Sequence, residues 1–353
     1  MTKSNDGVFM TLARLRGQNN EGILALVLFA LIGTISFLNP VFFSLSTLFS
    51  TMRGAIVPLI FALGVLIVII SGGIDVSFAA IAVFSAYTTV KFLNDGEIDP
   101  GLLGITIIAV LFGLVLGFFN GLVISLFKLP TLIVTLGTQS LFKGILLAYI
   151  GSRYIANPPL SLDEVAKTNV LTIIGDDGRG AYLHVLVIPA FILAVLVAWM
   201  LKRTMFGRAI YAIGGDSEAA RRAGFPVIRV QIFVYGLAGA LAAIAGVMHV
   251  TLGRNANPQD LVGNELDVIA AVVLGGASVF GGRGSVLGTT LGVLIIQVIN
   301  NSLILAGVPT AWQRAAVGIL LIVGVGIQAL SAKRKTQTRS TTPIAIRMLE
   351  DKS

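Results

Sequence analysis

The feature that most limits how this chain can fold is a succession of apolar runs, many of them as long as a lipid hydrocarbon core is thick. A helix needs about 20 apolar residues to cross that core, and fewer where it is broken or re-entrant. Ten segments are candidates: Ile23–Leu38, Gly54–Ile70, Val76–Phe92, Leu102–Phe127, Thr131–Ile150, Val185–Leu201, Val230–Val250, Leu266–Gly275, Val286–Leu305 and Ala311–Leu330. The eighth is too short to span as a plain helix, and only "SGGID" separates the second from the third. Backbone N–H and C=O groups cannot go unpaired in lipid, so runs of this kind fold as helices. The expected fold class is therefore an all-α polytopic membrane protein with about ten transmembrane segments, some short or broken. With 56% hydrophobic and 12% charged residues, the composition excludes a soluble globule.

Charge then orients the chain. Loops on the cytoplasmic side are enriched in Lys and Arg. Placing both termini inside collects Lys3, Arg14, Arg16, Lys128, Lys202, Arg203, Arg208, Arg221, Arg222, Arg229, Arg283, Lys333, Arg334 and Lys335 on one side. The other side keeps Arg53, Lys91, Arg153, Lys167, Arg179 and Arg254. This divides the chain into a cytoplasmic tail (1–21), a membrane domain (22–331) with a cytoplasmic loop at 202–229, and a second cytoplasmic tail (332–353). The loops Asn94–Gly101 and Gly151–Tyr182 face outward. Lipid accounts for the basic balance without nucleic acid. There is no cysteine, which excludes disulfides and thiolate metal sites. His184 and His249 adjoin apolar runs and read as structural or interfacial, so neither a metal site nor a catalytic residue is expected.

One polar stretch stands out, "RTMFGRAIYAIGGDSEAARRAGFPV", Arg203–Val227. Asp216 or Ser217 can cap a helix, Glu218 falls in its first turn, Arg221 and Arg222 in its last, and Gly224 with Pro226 ends it. A helix of about two turns needs something to pack on. Its small residues Ala219, Ala220 and Ala223 suit a groove on another protein, while its arginines suit anionic headgroups. The residues themselves leave both readings open.

The wording of this stretch resembles the cytoplasmic loop of bacterial ABC-importer permeases for simple sugars, the ribose, xylose and galactose type within the branched-chain amino acid and sugar permease superfamily. That loop reads T-x-x-G-R-x-x-x-A-I-G-x-N-x-x-A-A-x-x-x-G-I. Asp216 replaces the usual Asn, and both residues cap helices. Three further stretches are similar to the family's segments in the same order: "SGGIDVSFAAIAVFSAY", "NGLVISLFKLPTLIVTLGTQSLFKG" and "LGGASVFGGRGSVLGTTLG". The resemblance implies that Arg208, Asp216, Ser217, Glu218, Ala219, Ala220, Arg221, Arg222 and Gly224 form a coupling helix seated on a cytoplasmic ATP-binding subunit. It further implies a second permease copy or a paralogue, a periplasmic sugar-binding protein, and alternating access with no chemistry on the sugar. No G-x-x-x-x-G-K-[ST] phosphate loop occurs here, so ATP and Mg²⁺ are expected on the partner and no cofactor on this chain.

Candidates for the pathway are the polar residues at membrane depth. Asp75 is the one acid in the apolar block Gly54–Val90 and is expected either to line a path or to cap a helix beginning at Val76. Gly72 and Gly73 suggest a helix break, and Gly281 and Gly282 a tight cytoplasmic turn. Asn120, Gln139, Asn300 and Asn301 are further wall candidates, together with Gln297, Trp312 and Gln313, against the alternative that each only bonds a neighbouring helix. Gly113, Gly117 and Gly121 recur every four residues and predict close helix packing. An ion-gradient transporter of a small polar solute is the alternative function; it would need more midplane ionisable groups than Asp75. A membrane enzyme would need a cluster of acids, histidines or nucleophiles.

Overall fold

The computed structural model describes residues 21–38, 42–174, 180–261 and 263–305, with single positions at 309, 312, 315, 318, 319 and 322. Most of the tenth candidate segment, Gln313, residues 1–20 and the C-terminal tail lie outside the described residues. The rest is mostly helical. In chain order come α1 (Glu21–Leu38), α2 (Leu45–Ile70), α3 (Phe78–Asp95), α4 (Gly101–Phe127) and α5 (Thr131–Ile145), the last continued by a π turn, Leu146–Ile150. A short α6 (Leu160–Lys167), strands β1 (Asn169–Ile174) and β2 (Gly180–His184), and α7 (Val187–Arg203) follow. Two short helices, α8 (Met205–Gly215) and α9 (Ser217–Arg222), precede α10 (Val227–Gly253), α11 (Glu265–Leu274) and α12 (Val286–Leu305).

By length and apolarity, five helices among the described residues can cross a membrane: α2, α4, α5 with its π turn, α10 and α12. A sixth appears if α7 and α8, bent by 73° at Thr204, count as one span. Three sequence expectations shift. The second helix begins at Leu45 rather than Gly54, because Ser44 accepts the Thr47 N–H at 3.2 Å and Thr51 donates back to the Thr47 carbonyl at 2.8 Å. The third begins at Phe78 rather than Val76. The chain is also not wholly α: β1 and β2 pair antiparallel in the loop after α6, where the β-branched run Asn169–Ile174 favours a strand. His184 of β2 is buried, which pushes its pKa down, while a bond to the Ala166 carbonyl opposes that shift.

The centre of the bundle is α2 and α10, with most of their apolar length buried. Helix α4 lies against α10 along the Gly113, Gly117, Gly121 stripe. A side chain on Gly113 would come within 2.7 Å of the Ala243 Cβ, one on Gly117 within 3.0 Å of the Gly236 Cα, and one on Gly121 within 2.7 Å of the Ile232 Cα. Bare backbone on both helices is what permits this approach.

The connections fall into two sets at opposite ends. At one end Asn94 donates to the Asn157 carbonyl, Asp99 accepts from Ser161, Arg254 pairs with Asp163, and Ile155 bridges Ala256. At the other, Ile74 bonds Thr131, Tyr211 bonds the Gly284 carbonyl, and Ser285 bonds Glu21. The break after α2, the α7–α10 connection and the turn before α12 therefore share one end of the bundle.

Candidate functional site

The α7–α10 connection is built by two helices where the sequence pattern offers one. Thr204 ends α7 and caps α8, its hydroxyl accepting the Gly207 N–H at 3.0 Å. Met205–Gly215 was missed because it is too short and too mixed in composition to stand out beside long apolar runs; the Thr-x-x-Gly start was the available signal. Asp216 then caps α9, its carboxylate accepting the N–H groups of Glu218 at 2.9 Å and Ala219 at 3.0 Å. Gly224, at φ +88°, turns the chain away, and Phe225 N–H returns to the Ala220 carbonyl at 3.1 Å. These bonds satisfy both ends of a helix too short to hold itself.

Helix α9 stands out from the body of the protein. Asp216, Ser217, Glu218, Ala219, Arg221, Arg222 and Gly224 are exposed, as is Arg208 on α8. Ala220 is buried at 4% exposure and joins the core, so of the three alanines read as a docking face only Ala219 and Ala223 point outward. Glu218 and Arg221 pair at 2.6 Å across one turn, with both side chains more than half exposed. A water-screened pair of this kind adds little stability, so it leaves both charges available to a partner surface.

Behind this surface lies the break between α2 and α3. Gly72 leaves α2 at φ +88°, and Gly73 lies against Tyr235, whose hydroxyl would sit 2.5 Å from any Cβ placed there. The extended segment that follows finds its partners on α5: Ile74 N–H donates to the Thr131 hydroxyl at 2.9 Å, and Thr135 donates to the Ile74 carbonyl at 3.3 Å. Asp75 does not cap α3 directly. Its carboxylate accepts both the N–H of Ser77, at 2.7 Å, and its hydroxyl, at 2.6 Å, while Asn120 donates to the Ser77 oxygen at 2.8 Å. Asp75, Ser77 and Asn120 are all buried, and within this cluster Asn120 Oδ1 finds no hydrogen-bond partner among the described residues.

The hydrogen bonds divide the five polar candidates into three groups. Asp75 and Asn120 meet through Ser77. Gln139 donates to Glu265 at 2.7 Å, and the same carboxylate accepts the Gly263 N–H at 2.8 Å. Asn301 donates to Thr51 at 2.8 Å, and Asn300 sits half-buried beside it on α12. Thr131, Thr135 and Gln139 follow one another at four-residue spacing on α5, so one face of that helix touches first the break and then Glu265. Glu265 stands just before the eighth apolar segment, which begins at Leu266, and so falls outside the apolar pattern. Gly281 and Gly282 form the turn before α12 at φ +85° and +70°.

Several long apolar helices around a buried polar break, with a capped helix held out at one end, make this an integral-membrane permease subunit. The chain belongs to the family described as branched-chain amino acid transport system, permease component, which matches residues 47–325. It is 38% identical to the ribose import permease protein of Bacillus subtilis (strain 168), over 84% of this chain and 89% of that one. It is 32% identical to the autoinducer 2 import system permease proteins of Yersinia pseudotuberculosis (serotype O:1b, strain IP 31758) and Yersinia pestis (strain Pestoides F), over 86% of this chain and 83% of each relative. No solved structure matches the chain significantly. The protein is thus a transport component of an ABC importer and not an enzyme, and it is a multi-pass protein of the inner membrane. Membership implies a partner ATPase and a periplasmic binding protein.

Proposed function

We propose that the chain forms the translocation pathway for a simple sugar or a sugar-derived solute, and that α9 is the helix through which a cytoplasmic ATPase drives it. The observation that carries this reading is α9 itself: capped at both ends, exposed on nearly every residue and anchored by Ala220 alone. So short a helix is marginal by itself and gains stability by packing on a surface, which a partner would supply here. ATP and Mg²⁺ belong to that partner, and this chain carries no cofactor. The sugar reading rests on the ribose and autoinducer 2 import permeases among its relatives.

On this reading both termini and α9 are cytoplasmic. The end of the bundle that gathers the 71–75 break, α8, α9 and the 281–285 turn is also the end with the Lys and Arg excess, which supports that orientation. Ten crossings follow if α1, α3, α7, α11 and the tenth apolar segment cross together with the five long helices, and the domain limits stay at 22 and 331. The pathway follows the α5 face Thr131–Thr135–Gln139, from the Asp75–Ser77–Asn120 cluster to Glu265, with Asn300 and Asn301 lining it further out. Its hydroxyls and amides suit a polyol, and it holds the solute weakly, so that specificity rests with the binding protein. The permease works as a pair, with a second copy or a paralogue.

The test is gentle purification of the tagged protein from its own membrane, with or without crosslinking from a cysteine at Ser217, followed by identification of the polypeptides that accompany it. An ATPase crosslinked to residue 217 supports the reading, and a second permease in the same eluate distinguishes paralogue from homodimer. A chain that purifies alone in both conditions, and whose solute uptake stops when the proton gradient collapses while ATP stays high, overturns it in favour of ion-gradient transport.

A further inference from the structure

Three stretches far apart in sequence meet backbone to backbone just behind α9: the end of α2 at Ile70–Gly72, the last turn of α8 at Gly214–Gly215, and the turn at Gly281–Gly282. Gly282 N–H donates to the Ile70 carbonyl at 2.9 Å, an end-of-helix acceptor that would otherwise be left open. Side chains at Gly214, Gly281 and Gly282 would strike backbone across this junction. A Cβ on Gly214 would collide with the Ile70 carbonyl oxygen and lie 2.7 Å from the Gly282 nitrogen. One on Gly281 would lie 2.9 Å from the Gly72 Cα, and one on Gly282 3.0 Å from the Gly215 Cα. Gly72, Gly281 and Gly282 also hold positive φ angles that other residues adopt at a cost. Beside the junction, Tyr211 of α8 donates to the Gly284 carbonyl at 2.8 Å.

The neighbours on either side give the junction a direction. Gly215 is followed directly by Asp216, the cap of α9. Gly72 is followed directly by Gly73, Ile74 and Asp75, which carry the chain to Thr131, Ser77 and Asn120. Gly282 leads to Ser285, which bonds Glu21 at the start of α1 and caps the Gly288 N–H of α12 at 3.0 Å. Packed backbone has no soft atoms to absorb a shift, so a displacement of α8 is passed on rather than taken up by rotamer changes.

We infer that this glycine junction is the joint that hands movement of the α8–α9 pair to both broken segments, the one after α2 and the one before α12, and that Gly214 is its positioning residue. The inference rests on the coupling role proposed for α9. It places the transmitting element in α8, with α9 as the contact and α8 as the lever.

Because a bulky residue at Gly214 could stop the chain folding, the test perturbs the joint after assembly. Gly215 is exposed, a Cβ there meets no atom within 4 Å, and the chain has no native cysteine. Gly215→Cys is assembled with its ATPase and binding protein in proteoliposomes, then alkylated with a bulky maleimide. Labelling is expected to cut uptake at least ten-fold relative to the same protein unlabelled, while ATP hydrolysis continues and the ATPase stays bound. Tyr211→Phe, which adds no bulk, is expected to lower transport per ATP hydrolysed about two- to five-fold at unchanged thermal stability. Unchanged uptake after complete labelling overturns the inference. So does release of the ATPase on labelling, since the loss would then be one of docking. If no ATPase assembles with the unlabelled protein, the coupling reading itself has failed, which is a different result.

Discussion

Helices α4 and α10 have the same length, 27 residues, and both are long and apolar enough to span, yet 72% of an 18-residue apolar stretch of α10 is buried in the protein and only 22% of the corresponding stretch of α4. The more buried helix is the less apolar of the two. In a soluble protein the order would be reversed. Lipid is as apolar as leucine, so there is no hydrophobic gain in turning leucine inward, and close van der Waals packing decides instead. Helix α10 carries Gly236, Gly239, Gly246 and a run of alanines between them, and it can be approached from several sides. Helix α4 has one small-residue stripe, Gly113, Gly117 and Gly121, and gives the rest of its circumference to Leu103, Ile107, Leu111 and Val115, all well exposed.

The comparison breaks most directly at Gly117. Gly117→Leu drives a side chain into the backbone of Tyr235 and Gly236. It is expected to cost about 3 kcal/mol or more and to reduce the folded yield in a size-exclusion assay to a small fraction of wild type. A normal melting temperature for this variant would mean that α4 does not need its contact with α10. Gly239→Ala drives a methyl into the Gly113 carbonyl oxygen and sets it 3.0 Å from the Gly117 Cα. It is expected to cost about 1–2 kcal/mol, and its effect should not add to that of Gly117→Ala if the two glycines face each other.

The opposite face of α4 sharpens the comparison. Leu111→Ala and Val115→Ala are each expected to stay within about 0.5 kcal/mol of wild type. With Trp199 and Trp312 changed to Phe, a tryptophan at Val115 is expected to be quenched by brominated acyl chains. Protection of the Val115 probe would assign that face to the second permease rather than to lipid.

The smallest effect belongs to the loop end. Arg254, in the left-handed conformation just after α10, pairs with Asp163 of α6, and α6 also holds Asp99 just ahead of α4. Hydrogen bonds from Lys167 and then from Arg254 hold the Asp163 carboxyl below its usual pKa. A lowered folded-state pKa contributes stability that is present above the ordinary carboxylate range and lost as pH falls through the folded value. Arg254→Ala should therefore lower the melting temperature slightly at pH 7 and not at all once Asp163 is protonated in both states. Equal differences at both pH values would show that Arg254 acts through packing alone.

Much of this was legible in the sequence, for reasons tied to particular residues. The apolar runs announce their helices because lipid offers the backbone no other partner. The glycine stripe of α4 is visible because four-residue spacing keeps one helix face bare. Asp216, Glu218, Arg221 and Gly224 mark the ends of α9 because capping and dipole effects are local. The absence of a phosphate loop in these residues was likewise plain. What the sequence could not decide was which apolar helix lies inside, since in lipid that depends on the partner's surface as much as on its own. Nor could it bring Glu265 to Gln139, turn Ala220 inward, or join Ile70, Gly214 and Gly282. The Gln139–Glu265 and Ile70–Gly282 contacts close loops of well over a hundred residues, and all of these contacts are set by the packing of whole helices rather than by any local preference.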